Sequence, residues 1–132
     1  MSWKPLSWGL LAGTLALGAC SSGNVLGPDN QLEVTNNADD FALQATALDN
    51  ISQTLIYEWE MSGTTANVDQ SGSVSAGSGT LTITDDNGAE VYSRSLAQTG
   101  SVQTDAGTAG TWTIRIDLDG MSGVLNVRVQ AP

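Results

Sequence analysis

The sequence predicts an all-β fold, an antiparallel β-sandwich of about eight strands. Three observations predict it. Short stretches rich in Val, Ile, Thr and aromatic residues recur along the second half of the chain, separated by glycines at 63, 72, 77, 79, 88, 100, 107, 110, 120 and 123. Within those stretches apolar and polar residues alternate with a period of two, as in a strand with one dry and one wet face. Finally, Asn87-Gly88 sits between two strand-like runs, a strong local signal for a hairpin.

The N-terminus comes first in chain order. Lys4 precedes a stretch from Leu6 to Leu17 that is apolar apart from Ser7 and Thr14. As a helix it would span roughly 18 Å, short of the ~20 residues a bilayer core requires. Gly9, Gly13, Thr14 and Gly18 also weaken a buried core helix. A charged start, a short apolar region and small residues before a cut site describe an export signal. Its end, Leu17-Gly18-Ala19-Cys20, resembles the lipobox of bacterial lipoproteins. The resemblance implies cleavage before Cys20, a signal peptide over 1–19, and acylation of the Cys20 thiol and amine. Cys20 is the only cysteine, and lipidation would consume a thiol that would otherwise be a reactive liability. More than one acyl chain anchors firmly. Ser21 and Ser22 follow, where the family uses Asp to retain a protein in the inner membrane. The resemblance therefore implies the cell envelope, on the outer membrane, as the location.

Residues 20–30 carry the lipidated Cys and then Ser, Gly, Asn and Pro, and are expected to form a flexible tether. Ten residues reach at most about 33–36 Å. Residues 31–132 form the single expected domain.

Composition narrows the chemistry. The chain of 132 residues holds 14 acidic and 4 basic side chains, a formal net charge of −10, and no His. A nucleic-acid partner requires a basic footprint that is absent. Zinc sites of His and Cys, internal disulfides and every mechanism with an imidazole base are excluded. Lys4, the only lysine, leaves with the signal, taking Schiff-base chemistry with it. The acidic remainder repels anionic headgroups, so the lipid and not charge is what would hold the chain to a membrane.

The strands follow in order. Phe41, Leu43 and Ala45 give a weak alternation, and alanines between Asp39 and Ile51 leave room for a short helix. Leu55, Tyr57, Trp59 and Met61 alternate with Thr54, Ile56, Glu58 and Glu60. Residues 63–79 and 98–110 are rich in Gly, Ser and Thr and read as loops or edge strands. Leu81 and Ile83 alternate with threonines, the Asp85-Asp86-Asn87-Gly88 turn follows, and Glu90-Val91-Tyr92 returns. Trp112, Ile114, Ile116 and Leu118 share one face of the next run, opposite Thr113, Arg115 and Asp117. Leu125, Val127 and Val129 alternate with Asn126, Arg128 and Gln130. This rhythm over residues 40–131 resembles the small jelly-roll accessory domains at the C-terminal end of secreted bacterial peptidases. That resemblance implies a jelly-roll-like sandwich, an accessory role and no catalytic residues.

Few residues stand out as chemistry. Glu58 and Glu60 lie two apart on one strand face, about 6.5–7 Å between Cα atoms. That is near the separation of paired glycosidase carboxylates, but an open strand face lacks their cleft, and two solvated charges are the simpler reading. Asp85, Asp86, Asn87, Asp117 and Asp119 offer oxygen ligands of the kind calcium takes, although neither segment has the twelve-residue calcium loop and both suit ordinary turns. No other cofactor is expected. Of the aromatics beyond residue 20, Phe41, Tyr57, Trp59 and Trp112 fall on the apolar parity, and only Tyr92 has no clear facing. Asn50-Ile51-Ser52 matches a glycosylation triplet by chance. The expected function is a non-catalytic envelope lipoprotein, a structural or protein-interaction module. The alternative is a membrane-anchored module that binds calcium or a glycan.

Overall fold

The structure is a computed structural model and describes residues 24–132. The signal segment, the lipobox and Cys20 lie outside the described residues. Seven strands make one antiparallel sheet: β1 (Glu33–Asn37), β2 (Asp40–Met61), β3 (Asn67–Gln70), β4 (Ser73–Thr84), β5 (Glu90–Ser95), β6 (Gly100–Gln103) and β7 (Gly110–Gln130). The all-β antiparallel reading holds, with seven strands where about eight were expected. The difference lies in β2 and β7. Each joins two runs that looked separate in the sequence. The Asp39–Ile51 segment, open to a short helix in the sequence, is strand from Asp40 onward, and the Gly/Ser/Thr-rich stretches supply β3, β6 and the start of β4.

The sheet closes into a sandwich because its long strands fold over. β2 pairs with β7 from Asp40↔Gln130 to Met61↔Gly110, with register breaks between Ala45 and Gln53. β4 pairs with the other edge of β7 and breaks register at Ala76. These breaks form a corner at which Ala47 and Asn50 (φ 54° and 55°), Gly77, Gly120 and Gly123 all take positive φ. Bulges of this kind bend strands and raise their twist. Serines repair the broken ladder: Gly120 N–H donates to Ser52 Oγ (2.9 Å) and Asn50 N–H to Ser122 Oγ (3.0 Å). Beyond the corner the two ends of β2 meet, where Asp39 N–H donates to the Glu60 carbonyl at 2.9 Å.

Two layers result. One has the order β1–β2–β7–β3–β6, built from the first half of β2 and the last half of β7. The other has the order β2–β7–β4–β5, built from the remaining halves. Their inner faces share one apolar core. It includes Phe41, Leu43, Trp59, Leu81, Ile83, Trp112, Ile114, Leu125 and Val129, each no more than 1% exposed. Tyr92 joins it at 7% exposed, and Tyr57 is half-buried.

Two polar knots border this core. Gln70, 1% exposed, accepts the Tyr92 hydroxyl proton at 2.6 Å and donates to the Ser95 and Gln98 carbonyls, joining β3 to β5 across the layers. Asn30, 6% exposed, donates through Nδ2 to the Thr46 and Ala47 carbonyls at the corner and accepts the Gly27 N–H. Leu26 packs against the core, and its N–H donates to Gln53 Oε1 at 2.8 Å. The segment expected as the free end of a tether is therefore docked from Leu26 onward, and the ordered domain starts before Gln31.

Candidate functional site

The outer face of the five-stranded layer is carpeted with carboxamides and hydroxyls. Cross-strand register sets them in rows. One row runs Asn37, Asp40, Gln130, Asn67, Gln103. The next runs Thr35, Ala42, Arg128, Asp69, Ser101. Glu33, Gln44 and Asn126 begin a third. Neighbours in a row stand about 4.8 Å apart and rows about 6.6 Å apart, a scale set by strand pairing and the two-residue repeat.

Arg128 is the hub. It walls a groove of about 460 Å³ with Asn67, Asp69, Ser101, Gln103 and Gln130. On its other side it walls a smaller one of about 160 Å³ with Glu33, Thr35, Gln44 and Asn126. Among the described residues its guanidinium enters no ion pair. The sole ion pair there is Arg115 Nε to Asp117 Oδ2 at 3.0 Å, on the other layer. Asp69, directly opposite Arg128, accepts instead from Ser101 Oγ at 3.4 Å. Gln130 Nε2 donates to Asp40 Oδ1 at 3.1 Å, which fixes the side of the amide that faces the groove. Amides present donor and acceptor together, and a guanidinium presents a rigid fork of donors, so this face matches a ligand dense in hydroxyls. It carries no aromatic ring. Phe41, Trp59 and Trp112 are fully enclosed, and Tyr92 nearly so.

The residues singled out as chemistry in the sequence are not brought together. Asp85 is a structural knot in the β4–β5 turn. Its Oδ1 accepts from Asn87 N–H (3.0 Å) and Ala89 N–H (2.8 Å), and its Oδ2 from Thr108 N–H (2.9 Å). Those bonds, that from Thr108 foremost, hold its carboxyl below the usual carboxylate range. Asp86 accepts the Thr111 N–H, and Asn87 donates to Thr108 Oγ1. Asp117 sits several residues further along the sheet, beside Thr80, and holds Thr54 and Arg115. Asp119 is exposed beside the corner, in register with Ser78. Among the described residues no three acidic side chains gather where a metal ion could be held. Glu58 and Glu60 point to solvent from β2, with Glu60 accepting from Thr111 Oγ1 at 2.9 Å.

The turn itself forms as expected, with one refinement. Gly88 takes φ +82° while Asn87 stays out of the left-handed region, and the register slips between Ile83 and Thr84. A three-residue hairpin with a bulge fits this better than a two-residue turn. A similar local device appears at Asp39, with φ 63°. Its carboxylate accepts the Ser62 N–H and hydroxyl at 2.7 and 2.6 Å, which lowers its pKa.

Sequence reasoning missed Asn67, Asp69, Ser101, Gln103 and the hub role of Arg128. The polar parity of Asn126, Arg128 and Gln130 was visible, but only pairing with β3 and β6 turns it into a platform. No helix among the described residues is long and apolar enough to cross a membrane.

No family model matches the chain, and no curated protein matches it. A search of solved structures returns a carbohydrate-binding module from Cellvibrio mixtus lichenase 5A, in complex with cellotriose. The two are 14% identical, with a TM-score of 0.46, over 85% of this chain and 94% of that one.

Proposed function

We propose that the chain is an exported lipoprotein, held to the cell envelope through Cys20, whose non-catalytic β-sandwich binds a neutral oligosaccharide across its five-stranded face. The observation that carries the binding reading is Arg128, exposed, with no ion pair among the described residues, between two grooves in a field of amides. A stable protein partner draws its affinity from buried apolar anchors. The only large apolar side chain at these grooves with much exposure is Val102, at 41%. A polyanionic ligand is disfavoured by Glu33, Asp40 and Asp69 on the same face and by the net charge of −10. Hydroxyl-rich, uncharged chains remain.

Titration calorimetry of residues 24–132 with short neutral oligomers of glucose, mannose and galactose tests this. At least one should bind, and Arg128→Ala should weaken it about tenfold, ~1.4 kcal/mol, with an unchanged melting temperature. A panel of such sugars with no binder sinks the reading. The anchor is tested apart from it: Cys20→Ser should leave the protein uncleaved or soluble in detergent partitioning with mass measurement.

A second reading keeps a protein partner, on the other layer. Ile56 is 59% exposed there, next to Arg115 in register. Loss of a co-purifying protein in an Ile56→Asp variant, with sugar binding intact, would favour it.

A further inference from the structure

The docked N-terminal segment fixes more than the domain boundary. It enters the sandwich at the corner end, where β2, β4 and β7 bend. Asn30 bolts it to the Thr46 and Ala47 carbonyls, and Gln53 holds the Leu26 N–H. The loops around Asp39, Ser62, Asp85 and Asp105 lie at the opposite end, where Asp39 meets Glu60 and Asp105 N–H meets the Val91 carbonyl. From Gln53 to Met61 the strand alone covers roughly 26 Å at 3.3 Å per residue.

Between Cys20 and Val25 five residues reach at most roughly 18 Å. That is less than the length of the sandwich. We infer that the corner end is the membrane-facing end, held against the lipid bilayer through the Leu26–Asn30 strap by the anchor and not by its own charge, since Asp29 and Asp49 are exposed there. This rests on the lipid anchor at Cys20. A second observation supports it. Of the five large apolar side chains with notable exposure among the described residues, three flank the strap: Val25 just before it, Leu32 just after it and Val34 in the adjoining edge strand β1. Apolar side chains scattered singly require no explanation, but three beside a membrane anchor have a partner at hand.

The orientation has a consequence for binding. Strands running from corner to loop end then stand upright on the bilayer. The Arg128 face is turned sideways, open along the envelope rather than pressed on it. The Asp85 hairpin and the 104–109 loop point away.

The test uses the full, lipidated protein in vesicles with an energy-transfer acceptor on the lipid headgroup. Donor dyes are placed on Asp49→Cys at the corner and, separately, on Asp105→Cys at the loop end. Both sites are exposed. Transfer from position 49 should exceed that from position 105 by about twofold or more for a separation near 26 Å. Equal transfer, or more from position 105, overturns the orientation. Asn30→Ala combined with Gln53→Ala should bring the two values together while circular dichroism and melting still report a folded domain. An undiminished difference in that folded variant overturns the role of the strap. A flotation step precedes both measurements. Protein that stays soluble there refutes the anchor, and this inference with it, whereas floating protein with equal transfer refutes the inference alone.

Discussion

Trp59 and Trp112 stand directly opposite each other across β2 and β7, edge to face, with ring centroids 6.1 Å apart. Each indole N–H leaves the core to find a carbonyl, Trp59 at Asn37 (2.8 Å) and Trp112 at Thr108 (2.7 Å). The pair thus fills the sandwich while tying a turn to it at each side. Buried indoles demand such partners, and an edge-to-face pair adds to area burial alone.

Truncating either ring should be severe. Trp59→Ala or Trp112→Ala should cost about 3–5 kcal/mol, against a total of about 5–15 kcal/mol for a small domain. Urea melts of the two variants check this. Wild-type emission should be blue-shifted, as for enclosed indoles. An unchanged midpoint in either variant would contradict the core placement.

The Gln70–Tyr92 contact is the next joint. Tyr92→Phe removes one donor from a buried amide and should cost about 1–2 kcal/mol. Gln70→Ala strands the Tyr92 hydroxyl and the Ser95 and Gln98 carbonyls together, and should cost more, about 2–4 kcal/mol. A double-mutant cycle should show coupling above about 0.5 kcal/mol. Additive effects would mean the two side chains do not share the bond.

How much of this was legible follows from what is local. Alternation within four to eight residues shows directly in the sequence, so the inward set Leu81, Ile83, Trp112, Ile114, Leu125 and Val127 could be named from it. The corner could not. There Ala47 and Asn50 break parity, and Gly120 and Gly123 look like the end of one strand and the start of another. In the fold they are bends inside a single strand. Gln70 was hidden for another reason. A lone Gln in a Ser/Gly-rich stretch carries no mark of burial until Tyr92 is brought to it. The Arg128 platform joins positions 67, 101 and 128, and nothing in a single strand announces which others will flank it.

Acid should reveal the two carboxylate knots. Asp85 and Asp39 are both held below the ordinary aspartate range in the folded state, Asp85 by accepting the Thr108 and Ala89 N–H groups and Asp39 by accepting from Ser62. A depressed folded pKa contributes stability that is present above the unfolded value and lost as pH falls through the folded one. Melting temperature should therefore hold near neutrality and fall as pH drops below about 4. Asp85→Asn should melt lower than wild type at neutral pH, because its amide places N–H against the Thr108 N–H or forfeits the bonds to Asn87 and Ala89. The gap should narrow as pH falls through the lowered folded-state pKa, below which wild-type Asp85 is itself protonated. A gap that stays constant with pH would show that the charge of Asp85 contributes nothing.

The corner makes the sharpest demand on sequence. Gly77 takes φ +71°, and a Cβ placed there would lie 2.0 Å from the Gly120 carbonyl oxygen, on backbone that cannot rotate aside. Gly88, at the tip of the β4–β5 hairpin, also has positive φ, at +82°, but nothing lies within 4 Å of its would-be Cβ. The two positions separate conformational strain from collision. Gly88→Ala should cost only the left-handed penalty, about 1–2 kcal/mol. Gly77→Ala adds the clash between β4 and β7 and should cost about 2–4 kcal/mol, with loss of pairing at the bend. Thermal melts give the two costs, and amide exchange at Ser78 and Asp119 reports the local opening. Equal costs would mean that β4 and β7 are not in contact at Gly77 and Gly120. The sandwich would then have to close by some other bend.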